Sequence, residues 1–154
     1  MSGFNPAVVF AVSQIRVEVC DDLGNNFRAL GTGFFLRSPA QTPIFVTNRH
    51  VLDPSMQFGT NATLGSLEIL LRHHDGSVFT PETRFVRVDL QASQVILSPT
   101  ADAAAIVSPV FISRPPEYQS YSINVARNLA DQAFFQTKVF MMDLVSFIGY
   151  PGTQ

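Results

Sequence analysis

A period of two constrains this chain more than any other feature of its sequence. In "SQIRVEV" the residues Ile15, Val17 and Val19 fall on one side and Arg16 and Glu18 on the other. A half-buried strand requires this pattern, because successive side chains point to opposite faces of a sheet. Similar short runs follow in "FRALGTGFFLR", "PIFVTN", "SLEILLRHH", "RFVRVDL", "SQVIL" and "DAAAIVSPV". Turn chemistry separates them. "DDLGNN" has the composition of a hairpin loop, and the Asp-Gly of "HDGS" supplies the positive φ of a tight turn. Strands this short, at intervals of about 8–12 residues, predict an all-β chain folded as an antiparallel sandwich or barrel. Gly31 and Gly33 predict a bulge or a close backbone approach within their strand. Long helical patterns are missing, and only "NVARNLADQ", residues 124–132, predicts a short helix.

Composition narrows the functional classes. The chain has 154 residues, 46% of them hydrophobic and 14% charged, which suits one folded domain with a substantial core. Fourteen phenylalanines and no tryptophan predict a core filled by benzyl rings. A formal charge of −2 gives no reason to expect nucleic acid or an anionic membrane as a partner. No apolar run approaches the roughly 20 residues that a membrane-spanning helix needs. The N-terminal "MSGFNPAVVFAVSQIRVEV" lacks the positive region of a signal peptide. Cys20 is the single cysteine and cannot form an internal disulfide. Together these features predict a reducing, cytoplasmic setting. The final stretch, "VFMMDLVSFIGY" at residues 139–150, reads as a strongly apolar strand in need of an edge to pair with.

Two residues stand out chemically. His50 follows the strand "PIFVTN", and Asp102 opens the apolar run "AAAIVSP"; both sit where a polar loop meets a buried strand. A histidine in such a place is more often structural than catalytic, and company decides. A carboxylate buried at such a boundary would hold an imidazole in one tautomer and stabilise its charged form. The other candidates have plainer readings. Cys20 reads as a small half-buried hydrophobe. Ser98, Ser108, Ser113 and Ser146 lack flanking glycines and read as strand or loop residues. "RHHD", His73 to Asp75, reads as a solvated hairpin tip rather than a metal site, since adjacent strand residues face opposite ways. Asp21 and Asp22 read as loop charges. No glycine-rich phosphate loop opens a helix, so no nucleotide or other cofactor is expected.

Taken together, "GTGFFLR…PIFVTNRHVL", "DAAAIVSP" and "VFMMDLVSFIGYPG" resemble, in order and spacing over roughly residues 11–152, the bacterial trypsin-like (chymotrypsin-fold) peptidases. The resemblance implies an antiparallel six-stranded β-barrel in residues 1–113. It further implies an inter-barrel linker in residues 114–138, and the opening strand of a second, absent barrel in residues 139–154. It makes His50 the general base and acid, and Asp102 the group that orients it. The missing disulfide beside the histidine places the likeness in the disulfide-free branch. One departure matters more than the match. The family's serine lies in Gly-x-Ser-Gly-Gly, which also builds the oxyanion hole, and no Gly-x-Ser-Gly occurs here. Removing the nucleophile from such a triad costs about 10⁶ in turnover, so this polypeptide alone is expected to be inactive. The implied protein is the N-terminal portion of a serine endopeptidase, whose partners are a protein or peptide substrate and a missing C-terminal half or complementing chain. The alternative is a non-catalytic binding or assembly module that pairs, by strand addition or as a homo-oligomer, through residues 139–149.

Overall fold

The computed structural model describes residues 11–125. The helix expected at 124–132 falls almost wholly outside them, as do the terminal strand at 139–154 and the pairing surface at 139–149. Within the described residues the chain is a mostly antiparallel sheet of nine strands. In chain order these are β1 (Val12–Cys20), β2 (Asn26–Arg37), β3 (Pro43–Thr47), β4 (Thr63–His74), β5 (Phe79–Arg87), β6 (Gln94–Leu97), β7 (Ala104–Val107), β8 (Tyr118–Gln119) and β9 (Ile123–Asn124). Two single-turn helices, α1 (Arg49–Leu52) and α2 (Ser55–Phe58), separate β3 from β4. No described helix is long and apolar enough to cross a membrane.

The period of two becomes the core directly. Ile15, Val17 and Val19 of β1 are buried, and they meet Leu67, Ile69 and Leu71 of β4, Phe35 of β2, Phe45 of β3 and Ile106 of β7 in one cluster. The Phe35 and Phe45 rings lie 4.7 Å apart at 58°. Such a tilted pair adds about 0.5–1.5 kcal/mol beyond the area it buries. On the other face of β1, Arg16 pairs with Glu68 of β4 and Glu18 with Arg28 of β2, so charges bridge three adjacent strands where the sheet meets water.

The glycine expectation resolves to a close approach. The β1–β2 register runs unbroken past Gly31 and Gly33, and a register shift lies instead on the β1–β4 ladder, where Glu18 faces Ser66, Val19 faces Leu64 and Gly65 of β4 is the extra residue. A methyl group on Gly33 would sit 2.3 Å from Phe45 Cζ and 2.6 Å from the Val46 carbonyl oxygen. Only hydrogen fits there.

Three features depart from the expected six-stranded barrel. The sheet runs β5-β4-β1-β2-β3-β7-β6 and is not closed, because β5 and β6 do not pair with each other. These two edges are consecutive in sequence. Between them Asp89 Oδ1 accepts from the Gln91 and Ala92 N–H groups at 3.1 Å, a side-chain-capped turn that separates β5 from β6. A single bridge, Val88 to Phe111, lies beside the gap. Second, β8 and β9, in the stretch read as linker, add to the same sheet: β8 on β4, and β9 parallel to β2. Third, the runs before residues 66 and 84 are longer than their alternation suggested, since β4 starts at Thr63 and β5 at Phe79.

Candidate active site

Strand register brings the two singled-out residues together. β3 and β7 pair antiparallel, with Thr47 opposite Ala104 at the end of the ladder. The residues just after β3 therefore lie beside those just before β7. Thr47 is buried and its hydroxyl donates to the Thr32 carbonyl at 2.9 Å, which fixes the end of β3 to β2. The chain then turns into α1. Val51 and Leu52 are buried, and Val51 seats against Gly31, where an added methyl would lie 3.1 Å from Val51 Cγ2. With that side of the turn anchored in the core, His50 is left at the surface facing the loop that carries Asp102.

His50 Nδ1 lies 2.7 Å from Asp102 Oδ2. The His50 backbone N–H donates to the other carboxylate oxygen, Oδ1, at 3.0 Å. A carboxylate is an acceptor only, so the neutral imidazole carries its proton on Nδ1. Nε2, the opposite ring nitrogen, has no hydrogen-bond partner among the described residues. These contacts, the His50 backbone N–H foremost, hold the Asp102 carboxyl below its ordinary pKa of 3.8. The expectation of a buried carboxylate is corrected: the Asp102 side chain is 44% exposed and that of His50 32%. Its loop lies at the open end of the β3–β7 ladder, with water on one side.

Two further residues hold this arrangement and were not singled out in the sequence. The Asn48 amide donates to Asp102 Oδ2 at 3.1 Å and lies 3.3 Å from the Asp102 carbonyl oxygen. Arg49 donates to the Ser98 carbonyl at 3.0 Å and pairs with Asp53 at 3.1 Å, tying α1 to the start of the Asp102 loop. Ser98 braces that loop, its hydroxyl accepting from Ala101 N–H at 3.1 Å and its own N–H donating to the Ala103 carbonyl at 2.9 Å. The signal for both was adjacency: they are the two residues before His50, at the end of the strand that pairs with β7.

The remaining candidates stay apart from the dyad. The Cys20 thiol contacts the Asp21 carbonyl at the end of β1. Ser108 and Ser113 occupy loops with φ of 51° and 52°, and Ser146 lies outside the described residues. Asp21 organises the first hairpin by accepting from Leu23 and Asn25. Asp22 accepts from the Asn61 N–H. Among the described residues no three His, Cys, Asp or Glu side chains converge as metal ligands would.

A small apolar recess of about 50 Å³, lined by Val17, Ala29, Leu30, Gln57 and Phe58, adjoins His50. A cleft of about 330 Å³ runs beside Asp102 along Thr32, Phe34, Thr47 and Asn48. A cavity of about 810 Å³ lies elsewhere, between Arg37, Phe111 and Arg114, and touches neither dyad residue.

No family model, curated protein or solved structure matches the chain.

Proposed function

We propose that this chain is the base-and-orienter half of a trypsin-like serine endopeptidase, acting on a protein or peptide substrate, with its nucleophile supplied by sequence outside these residues. The observation that carries the reading is the two-point engagement of one carboxylate by His50, through Nδ1 at 2.7 Å and the backbone N–H at 3.0 Å. With Nδ1–H committed to Asp102, the Nε2 lone pair is left without a hydrogen-bond partner among the described residues. It takes the proton of a hydroxyl or thiol as that group attacks a peptide carbonyl. The imidazolium formed is stabilised by the Asp102 carboxylate, which stays ionised, and the proton passes from Nε2 to the leaving amine. The second half-reaction repeats the cycle with water.

The barrel belongs to the same proposal. Its support is that the two unpaired edges, β5 and β6, are joined by only residues 88–93, and that Val88, just after β5, bridges to Phe111, in the chain that follows β7. Closure would make β5 and β6 two segments of one bent strand.

The test joins or co-expresses this chain with the coding sequence that follows Gln154 and exposes the product to a fluorophosphonate probe. Labelling that disappears on His50→Ala supports the proposal. A reading frame that supplies no serine or cysteine nucleophile, or labelling indifferent to His50→Ala, overturns it.

A further inference from the structure

We propose that Asn48 is a positioning residue for the His50–Asp102 dyad, holding the carboxylate in the orientation that the imidazole needs. The inference rests on the reading of the dyad above and adds to it a third member from this chain. Its starting point is a side chain diverted from its ordinary task. Asn48 occupies the N-cap of α1 with extended backbone angles, φ −69° and ψ 146°. Asparagine is among the best residues for capping a helix from there, by accepting from the backbone N–H groups of the first turn. Its side chain makes no capping hydrogen bond. It reaches across to Asp102 instead, 54 residues away in sequence.

The geometry of that reach is specific. Nδ2 approaches both the carboxylate Oδ2, at 3.1 Å, and the main-chain carbonyl oxygen of the same residue, at 3.3 Å. Both partners are acceptors. Only the amide nitrogen satisfies them, and the flipped amide would set oxygen against oxygen. One amide therefore fixes the backbone of Asp102 and the rotation of its carboxylate together. This matters because the carboxylate is 44% exposed. Water competes for its oxygens, and a freely rotating carboxylate would share Oδ2 between solvent and the imidazole. With Asn48 in place, Oδ2 receives two donors, His50 Nδ1 and Asn48 Nδ2, while Oδ1 is held by the His50 backbone N–H. The Arg49 guanidinium fixes the same loop at the Ser98 carbonyl and pairs with Asp53, not with Asp102.

The experiment reads the imidazole itself, by ¹⁵N and ¹H NMR of this chain, and needs no nucleophile. The unsubstituted chain is expected to show neutral His50 protonated on Nδ1, with a low-field proton that exchanges slowly. Asn48→Ser keeps a good helix cap but is too short to reach Asp102. It should leave the thermal midpoint unchanged or raised, while the Nδ1–H proton exchanges about threefold to tenfold faster, the span expected for one hydrogen bond. Asn48→Asp has the same shape and sets a second carboxylate against Oδ2. It should accelerate exchange further and reduce the Nδ1–H tautomer. Unchanged exchange and tautomer in both variants overturn the positioning role while leaving the dyad standing. A neutral His50 protonated on Nε2 in the unsubstituted chain overturns dyad and positioning role alike. Failure of the fluorophosphonate test, with these NMR results as expected, removes the peptidase reading alone.

Discussion

The histidines of this sheet occupy two regions built on different principles. At the tip of the β4–β5 hairpin, the side-chain hydrogen bonds of both imidazoles are local. His73 Nδ1 lies 3.3 Å from Thr80 Oγ1, and His74 Nδ1 accepts from the Gly76 N–H at 3.0 Å, partners seven and two residues away. The His74 ring packs edge-on against Phe79, also within the hairpin. Two edge-on ring contacts leave it, His73 to Tyr118 at 5.7 Å and Phe79 to Tyr121 at 6.3 Å. The two imidazoles point to different partners, as neighbours on a strand must. At the end of the β3–β7 ladder, by contrast, His50 has one hydrogen-bonded side-chain partner among the described residues, and it comes from 52 residues away. A local contact forms whenever its turn forms. A distant one persists only if two separate elements are held in register, here by the β3–β7 ladder, the buried Val51 and Leu52, and the Arg49–Ser98 tie. A partially exposed pair has little net stabilisation to offer in return, since surface ion pairs contribute about 0–1 kcal/mol. So much scaffolding around so weak a contact favours a role in chemistry over one in stability.

The sharpest way to break this contrast is to substitute the acid. On the proposed reading, once the chain is joined to a nucleophile, Asp102→Asn leaves the shape intact but lets the imidazole adopt the wrong tautomer, and turnover should fall by about 10⁴. His73→Gln and His74→Gln should leave turnover within about twofold, as expected for positions outside the site. A loss from the hairpin variants comparable to that from Asp102→Asn would show that the two regions are not distinct in function. Next in size is the support beneath the dyad. Phe45 is fully buried in β3, and Phe45→Ala should cost about 3–5 kcal/mol in urea unfolding, with the dyad end losing hydrogen-exchange protection along with the core. Gly33→Ala tests the same end more gently. Its methyl collides with the Phe45 ring and with the Val46 backbone, which cannot yield as a flexible side chain would, and the cost should be about 1–3 kcal/mol. A neutral Gly33→Ala would mean that β2 and β3 are less closely set than they are here.

What could be read in advance follows the same division. Ile15, Val17 and Val19 were legible as core because a period of two maps onto a face without knowledge of any partner. The "HDGS" turn was legible because Asp75 and Gly76 carry their conformation in their own chemistry; Gly76 has φ of 97°. His50 and Asp102 could be named as a pair, but their contact depends on a strand register that no local pattern encodes. Asn48 was invisible for that reason: as a residue type it reads as a helix cap, and only the β3–β7 alignment turns it towards Asp102. β8 and β9, at two residues each, are too short to have a period. The open sheet path turns on the Asp89-capped turn between "RFVRVDL" and "SQVIL", a local choice that the alternation of neither run encodes.

The smallest effect concerns the hairpin tip and isolates it from the dyad. Asp75 accepts from the Ser77 and Val78 N–H groups, each at 2.9 Å, and these bonds draw its carboxyl down to a pKa of about 2. The ionised form is thus favoured by the folded turn. Its contribution is present in full above the ordinary carboxylate pKa of 3.8 and is lost as the pH falls through about 2. Exchange of the Ser77 and Val78 amides should therefore lose protection over that interval, relative to the intrinsic pH dependence of exchange. Asp75→Ala should remove the protection at neutral pH while the His50 Nδ1–H signal stays as it was. A change at His50 on Asp75→Ala would couple the two regions through β4 and the core, and the division between a locally built tip and a long-range dyad would have to be given up.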